Sequence, residues 1–370
     1  VYCPGPGRGF SMQDEQYMDI AFDLAERGRG RTHPNPRVGA VLVRDGQIVG
    51  RGFHRGAGTA HAEAAALTEA GGKARGATLY CTLEPCAHFG RTPPCAQAVV
   101  AAGVRRVVAA LQDPDPRVNG RGFALLRGAG IQVTLLEGRA AQLAKRQNAP
   151  FLKAVTRGLP YITYKAAHSL DGKVAAASGD ARWISGEQSR QLVHEMRARA
   201  DAVLVGAGTV RRDDPQLTVR LCEGRDPARV VLSASGDVPL AATLVREAAR
   251  ASTIVLTVTM PPAHEERLLA AGVRVERYGG DVREALQRLA TLHIYDVLLE
   301  GGPTLASDLF AAGLVDRVAF FVAPLLLGTG APELVGWPAP GSVAAGLRLR
   351  APAWRQVGED ALLEADVEGA

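Results

Sequence analysis

Short β-branched runs alternate with helix-length stretches along this chain, and the alternation runs its course twice. Such elements bury together as a sheet with helices on both faces. The first pass begins at Met12, where "DEQYMDIAFDLAERG" spaces its apolar residues at helical intervals and stops at Gly28. "VGAVLVRDGQIVGRGFH" reads as two strands about the turn Asp45-Gly46. The helices "HAEAAALTEAGG", "CAQAVVAAGV" and "GRGFALLRGAG" then alternate with the strands "GATLYCTLEPC", "RRVVAALQDP" and "IQVTLL". The second pass opens with the strand "PYITYKAAHS", the helix "SGEQSRQLVHEMRARA" and the strand "DAVLVGAGTV". "ARVVLSAS", "STIVLTVT", "DVLLEGG" and "RVAFFVAPLLLG" continue it as further apolar runs between helical stretches. A chain of 370 residues exceeds one ordinary core. Two α/β domains are therefore expected, over 12–145 and 159–370, joined by a helical connector at 146–158. Residues 1–11, "VYCPGPGRGFS", lack the apolar stretch of a signal peptide and read as a disordered extension. No apolar run reaches the roughly 18 residues of a membrane span.

Three of the five cysteines fall within "LYCTLEPCAHFGRTPPCAQAV". An odd, clustered set argues against a disulfide framework and for a reducing cytoplasm. Upstream, "TAHAEAAAL" places His61 and Glu63 at the start of a helix. His61, Cys86 and Cys95 make three nitrogen and sulfur donors, the number that leaves zinc an open position for water. Glu63 is then the proton carrier, because hydrolytic deamination must take a proton from water and deliver it to the departing amine. Cys95 opens a helix, whose N-terminus stabilises a thiolate. Cys81 sits mid-strand and reads as a packing residue. The rival is a closed structural zinc site with His88 as fourth ligand, which has no use for Glu63.

The second half lacks a G-x-G-x-x-G turn; "VGAGTV" comes closest and misses the third glycine. In "LLEGGPTLASDLF" a strand ends at Glu300, Gly301 and Gly302 permit close backbone approach, and a helix starts at Pro303. That arrangement suits a phosphate or pyrophosphate, though a plain strand-to-helix turn reads the same way.

"HPNPRVGAVLV", "HAEAAAL", "TLEPCAHFGRTPPC" and "QDPDPRVNGRG" together resemble the deaminase half of the bifunctional deaminase–reductase of riboflavin biosynthesis. H-x-E with P-C is also the signature of zinc nucleobase deaminases, although eight residues here separate cysteines usually two apart. "YKAAHSLDGKVAAASGDARWIS", "VGAGTVRRDDPQLTVR" and "LLEGGPTL" resemble the reductase half of the same family. The resemblance implies a cytidine-deaminase-like α/β/α domain followed by a dihydrofolate-reductase-like α/β domain. It implies one Zn2+ on His61, Cys86 and Cys95, Glu63 as proton donor and acceptor, and Asn35, His54 and Arg91 lining a pyrimidine-phosphate pocket. For the second half it implies NADPH held by Ala167, Trp183, Thr209, Asp213 and the run Gly302, Pro303, Thr304, Leu305, Ala306, Ser307 and Asp308. It implies a substrate site of Lys165, Ala181, Arg197, Leu217, Arg220 and Glu300. Arginines suit bidentate phosphate capture, so Arg197 and Arg220 fit a sugar phosphate. Which of Lys165 and Glu300 supplies the proton stays open at this point. His168 stands where the family often has a small residue, and a bulky ring there would crowd the cofactor strand.

The expected reactions are zinc-dependent hydrolysis of the 2-amino group of a phosphoribosylamino-pyrimidinone, then reduction of its ribosyl group to ribityl. A nucleoside or nucleic-acid deaminase with an inert second domain is the rival enzyme, and a zinc-stabilised binding module the rival from another class. The net charge of +5 would suit nucleic acid, but the 38 Arg and 5 Lys are scattered singly and aromatics make up 5% of the chain. Small molecules, rather than nucleic acid or membrane, are the expected partners, and a homo-oligomer is compatible with this reading.

Overall fold

In the computed structural model, which describes residues 12–88, 93–337 and 340–369, the two passes form two separate sheets. The extension expected over 1–11 and the pocket residue Arg91 lie outside the described residues. The chain divides into two units, Val1–Arg157 and Gly158–Ala370. The first contains α1 (Met12–Glu26), β1 (Gly39–Arg44), β2 (Gln47–Phe53), α2 (Ala62–Ala70), β3 (Thr78–Cys81) and α3 (Cys95–Ala101). It continues with β4 (Arg106–Ala109), α4 (Arg121–Gly128), β5 (Gln132–Leu135), α5 (Arg139–Gln147) and α6 (Ala149–Arg157). The strand order is β2-β1-β3-β4-β5; β1 runs antiparallel to both neighbours and β3, β4 and β5 run parallel. Asp45 (φ 50°) and Gly46 (φ 75°) both take positive φ, as a two-residue type I′ hairpin turn requires.

Apolar residues bury on both faces of this sheet. Leu79 and Val107 pack with Ala66, Val99 and Leu126, while Val41 and Val108 pack with Met18 and Ala144. Helix α2 rests directly on β2, because a Cβ at Gly52 would stand 2.0 Å from the Ala62 carbonyl oxygen. The stretch expected as a connector packs as part of this first unit. Asn148 accepts the Arg37 N–H (2.7 Å) and donates to the Arg37 carbonyl (2.9 Å), and Gln147 donates to Phe22 O (3.0 Å).

The second unit contains β6 (Tyr161–Ser169), α7 (Glu187–Arg199), β7 (Ala202–Gly206), α8 (Ala207–Asp213), β8 (Ala228–Leu232) and α9 (Thr243–Arg246). Next come β9 (Thr253–Thr257), α10 (Pro262–Ala270), β10 (Arg274–Arg277), α11 (Val282–Thr291), β11 (Asp296–Leu299) and α12 (Pro303–Ala311). It ends with β12 (Arg317–Ala323), β13 (Leu349–Val357) and β14 (Asp360–Val367). The order is β10-β9-β8-β7-β11-β6-β12-β14-β13, parallel from β10 to β12, with the final hairpin added antiparallel. "DAVLVGAGTV" does not continue as a strand. It turns into α8 after Gly206, a change that an apolar run alone cannot announce. Strand β13 escaped the sequence reading because all but its last residue are exposed, so no alternation marks it.

Candidate active sites

Three local features bring the first site together. His61 is the residue before α2, in an extended conformation, and Glu63 lies in the first turn. Cys86 follows β3 on a segment held by Glu84, whose carboxylate accepts N–H groups from Gly120 (2.9 Å), Phe123 (3.1 Å) and Asp113 (3.3 Å). Sequence reading passed over Glu84, since nothing in "TLEP" distinguishes a buried anchor from an exposed acid. Cys95 is the first residue of α3, and its N–H donates to Cys86 Sγ at 3.3 Å.

His61 Nδ1, Cys86 Sγ and Cys95 Sγ consequently lie within 4.8 Å of one another. His61 Nδ1 stands 3.2 Å from Cys95 Sγ and 3.5 Å from Cys86 Sγ. The donor chemistry fits zinc in a site with a position to spare, one imidazole and two sulfurs with a backbone amide favouring thiolate. The Cys95 thiol, with help from His61, pulls Cys86 down to about 4. Glu63 is buried and stands outside the donor set. Burial, then the charge at Cys86, pushes its carboxyl up to about 7. His54 is set against the same place. Its ring meets His61 edge-on at 5.3 Å, its Nδ1 donates to Ala60 O (3.2 Å), and its Nε2 accepts from Asn35 Nδ2 (3.0 Å). Burial lowers its pKa, so the ring is a neutral, oriented group. Asn35 and His54 thus join His61, Glu63, Cys86 and Cys95. Cys81 is fully buried, with its thiol on Val108 O at 3.7 Å.

The second site is a compact set of charges where the carboxyl end of β11 meets the middle of β6. Arg197 on α7 meets Glu300 in a two-bond pair, Nε to Oε1 at 2.7 Å and Nη2 to Oε2 at 2.8 Å. Burial by itself would raise Glu300, but Arg197 and then Lys165 hold it at about 2, so it is a carboxylate at neutral pH. Burial lowers Lys165, whose ammonium lies 5.9 Å from the Phe321 ring centre. Arg220 Nη1 bonds Thr218 Oγ1 at 3.0 Å, and Leu217 beside it is buried with a positive φ of 56°.

The residues expected at a cofactor divide in two. Thr209 and Gly302 are neighbours: a Cβ at Gly302 would have Thr209 Oγ1 as its nearest atom, at 3.9 Å. Helices α8 and α12 start after the adjacent strands β7 and β11 with glycine caps and no side-chain capping bond. Their first amides are thereby left for an anion at the edge where open α/β sheets bind ligands. Leu305 and Ala306 are buried in the core and can offer only backbone, while Ser307 Oγ is engaged with Pro303 O and Gly336 N. Pro303 is partly buried, and Thr304 and Asp308 are exposed. Ala167 packs near Phe321 and Val193, whereas Ala181, Trp183 and Asp213 are exposed, with Arg190 over the Trp183 ring at 4.7 Å. His168 does not crowd the cofactor strand: it alternates with Ala167 along β6 and sets its ring edge-on to Phe320, on the opposite face.

Both units match known protein families. The family model for the cytidine and deoxycytidylate deaminase zinc-binding region matches residues 11–111, and that for the RibD C-terminal domain matches 160–363. Riboflavin biosynthesis protein RibD of Aquifex aeolicus is 42% identical, over 95% of this chain and 97% of its own length. RibD of Escherichia coli is also 42% identical, over 95% and 99%. The structure of Acinetobacter baumannii RibD, form 1, superposes with a TM-score of 0.88 at 42% identity, covering 96% of this chain and 99% of that one. The diaminohydroxyphosphoribosylaminopyrimidine deaminase/5-amino-6-(5-phosphoribosylamino)uracil reductase of Thermotoga maritima gives 0.83 at 37%, with the same coverage. Carrying the deaminase zinc-binding region and the RibD C-terminal domain in one polypeptide, the chain belongs to the RibD family of bifunctional riboflavin-biosynthesis deaminase–reductases.

Proposed function

We propose that the first unit hydrolyses the 2-amino group of 2,5-diamino-6-(5-phosphoribosylamino)pyrimidin-4-one, and that the second then reduces its ribosyl group to ribityl with NADPH. The observation that carries the reading is the position of Glu63, buried beside a three-donor set that it does not join. Zinc bound by His61, Cys86 and Cys95 would supply Lewis acidity that makes water a nucleophile at neutral pH. Glu63 takes the proton of that water as oxygen bonds to C2, and returns it to the nitrogen as the C2–N bond breaks and ammonia leaves. Asn35 and His54 orient the pyrimidine.

In the second unit the amides of Gly302, Thr304 and Leu305, with Thr209, hold the cofactor phosphates, and Ala167 lets the nicotinamide lie close to the strand. Hydride passes to the ribose C1, the bond from C1 to the ring oxygen breaks, and that oxygen takes a proton. Glu300 is ionised against Arg197, so Lys165 is the proton source and Glu300 its anchor. Arg220 favours the phosphate end, while Arg197, whose three nitrogens are engaged by Glu300 and Thr218 O, holds Glu300 rather than a phosphate. The free thiols Cys81, Cys86, Cys95 and Cys222 suit a reducing cytoplasm, and no helix among the described residues is long and apolar enough to cross a membrane.

The test is to incubate the zinc-loaded protein with the diaminopyrimidine nucleotide, with NADPH, NADH or neither, and to identify the products. Ammonia with no cofactor, and the ribitylamino product only with NADPH, is the expected result. Nicotinamide oxidation without prior ammonia release would reverse the proposed order.

A further inference from the structure

We infer that His194 is a positioning residue of the reductase site: its Nδ1 accepts the Arg220 N–H and thereby sets where the Arg220 guanidinium meets substrate. The inference rests on the reductase reading above. Between α8 and β8 the chain from 214 to 227 has neither helix nor strand, so no sheet ladder holds Arg220 in place. Side chains do so instead. Three residues apart on α7, His194 and Arg197 share a helix face. Arg197 Nη1 donates to Thr218 O at 3.2 Å, and His194 Nδ1 accepts from Arg220 N at 2.9 Å. Asp226 Oδ1 takes the intervening Val219 N–H at 2.6 Å. The segment bearing Leu217 and Arg220 is thus hung from α7, the helix that also delivers Arg197 to Glu300.

The bond demands a neutral ring with its proton on Nε2, because an imidazolium would aim a second N–H at the Arg220 amide. The surroundings enforce that state. His194 is buried, and Arg197, Arg220 and Lys165 face it with only Glu300 opposing, so burial and then the two arginines hold it at about 4. A neutral acceptor here also spares a site already holding three cations a fourth.

The measurement is NADPH oxidation by the full-length protein with 5-amino-6-(5-phosphoribosylamino)uracil, separating KM from kcat. His194→Leu should raise KM about 10-fold and leave kcat within about 3-fold, the scale of one buried hydrogen bond. His194→Asn, whose amide oxygen can stand near the Nδ1 position, should bring KM back to within about 3-fold of wild type. In an Arg220→Ala background His194→Leu should cost no more than about 2-fold, since the two act as one unit. An unchanged KM in His194→Leu, or an equal loss in both backgrounds, overturns the inference. Should His194→Leu fail to fold, His194→Asn against His194→Gln decides it: Gln reaches toward Nε2, and equal behaviour of the two refutes a role for Nδ1. No oxidation by the wild type overturns the reductase reading and this inference with it. Turnover with an indifferent His194 overturns the inference alone.

Discussion

Replacing Gly52 by alanine should disable the deaminase site although Gly52 has no side chain to offer to metal or substrate. Gly52 lies in β2 opposite Ala40, and α2 crosses directly above it. The added Cβ would meet Ala62 O at 2.0 Å, Ala66 N at 2.6 Å and Ala65 Cβ at 3.0 Å. Two of these are backbone atoms of a helix and cannot rotate away. Restoring ordinary contact with the Ala62 oxygen moves the start of α2 by about 1.4 Å in an interior packed like a crystal. His61 and Glu63 flank Ala62, so they move with it. Overpacking of this kind costs about 1–3 kcal/mol of stability, and a displacement of about 1 Å at reacting groups costs on the order of 10²-fold in rate. The assay is zinc per chain, ammonia release and the urea midpoint, with Gly72→Ala as control because an added Cβ there meets nothing within 4 Å. Full zinc content, ammonia release within about 2-fold of wild type and an unshifted midpoint in Gly52→Ala would refute the claim that this glycine seats the helix.

Glu63→Gln should keep zinc near one per chain while ammonia release falls about 10²–10⁴-fold, the scale of a lost general acid–base; loss of zinc would make Glu63 a ligand. Cys86→Ser and Cys95→Ser should each lower zinc content, and Cys81→Ser should not, because its thiol bonds Val108 O outside the donor set. Glu300 is held at about 2, below its ordinary value, so the unfolded chain binds its proton first. Its share of stability is complete above about pH 4.5 and fades as pH falls toward 2; urea titrations should show the gap between wild type and Glu300→Gln closing over that window. A chain ending at Arg157 should fold and deaminate. Ending it at Lys145 removes four buried hydrogen bonds of Gln147 and Asn148, at about 1 kcal/mol each, and its thermal midpoint should drop sharply.

What the sequence determined by itself was local. Strand and helix periodicity, the turn at Asp45-Gly46, and the glycines after Glu300 act through a few neighbouring residues, so they can be read without a partner. The donor types at His61, Cys86 and Cys95 are equally legible, since thiolate and imidazole chemistry belongs to the side chain wherever it lies. Only the tertiary structure decided which distant groups share a charge environment. Glu300 and Lys165 are alike as proton-source candidates in sequence; a two-bond contact with Arg197, 103 positions away in the chain, makes one a fixed anion. His194 looks like any helix histidine until α7 carries it beneath the Arg220 amide. His168 is next to Ala167 in sequence and across the sheet from it in space, because strand side chains alternate between faces. The helical stretch after residue 145 reads as a connector because an amphipathic helix does not announce which domain it packs on, and Gln147 and Asn148 find their partners on α1 and at Arg37. Electrostatic fields and hydrogen-bond partners depend on through-space distance, and that distance exists only once the strands have been ordered into a sheet.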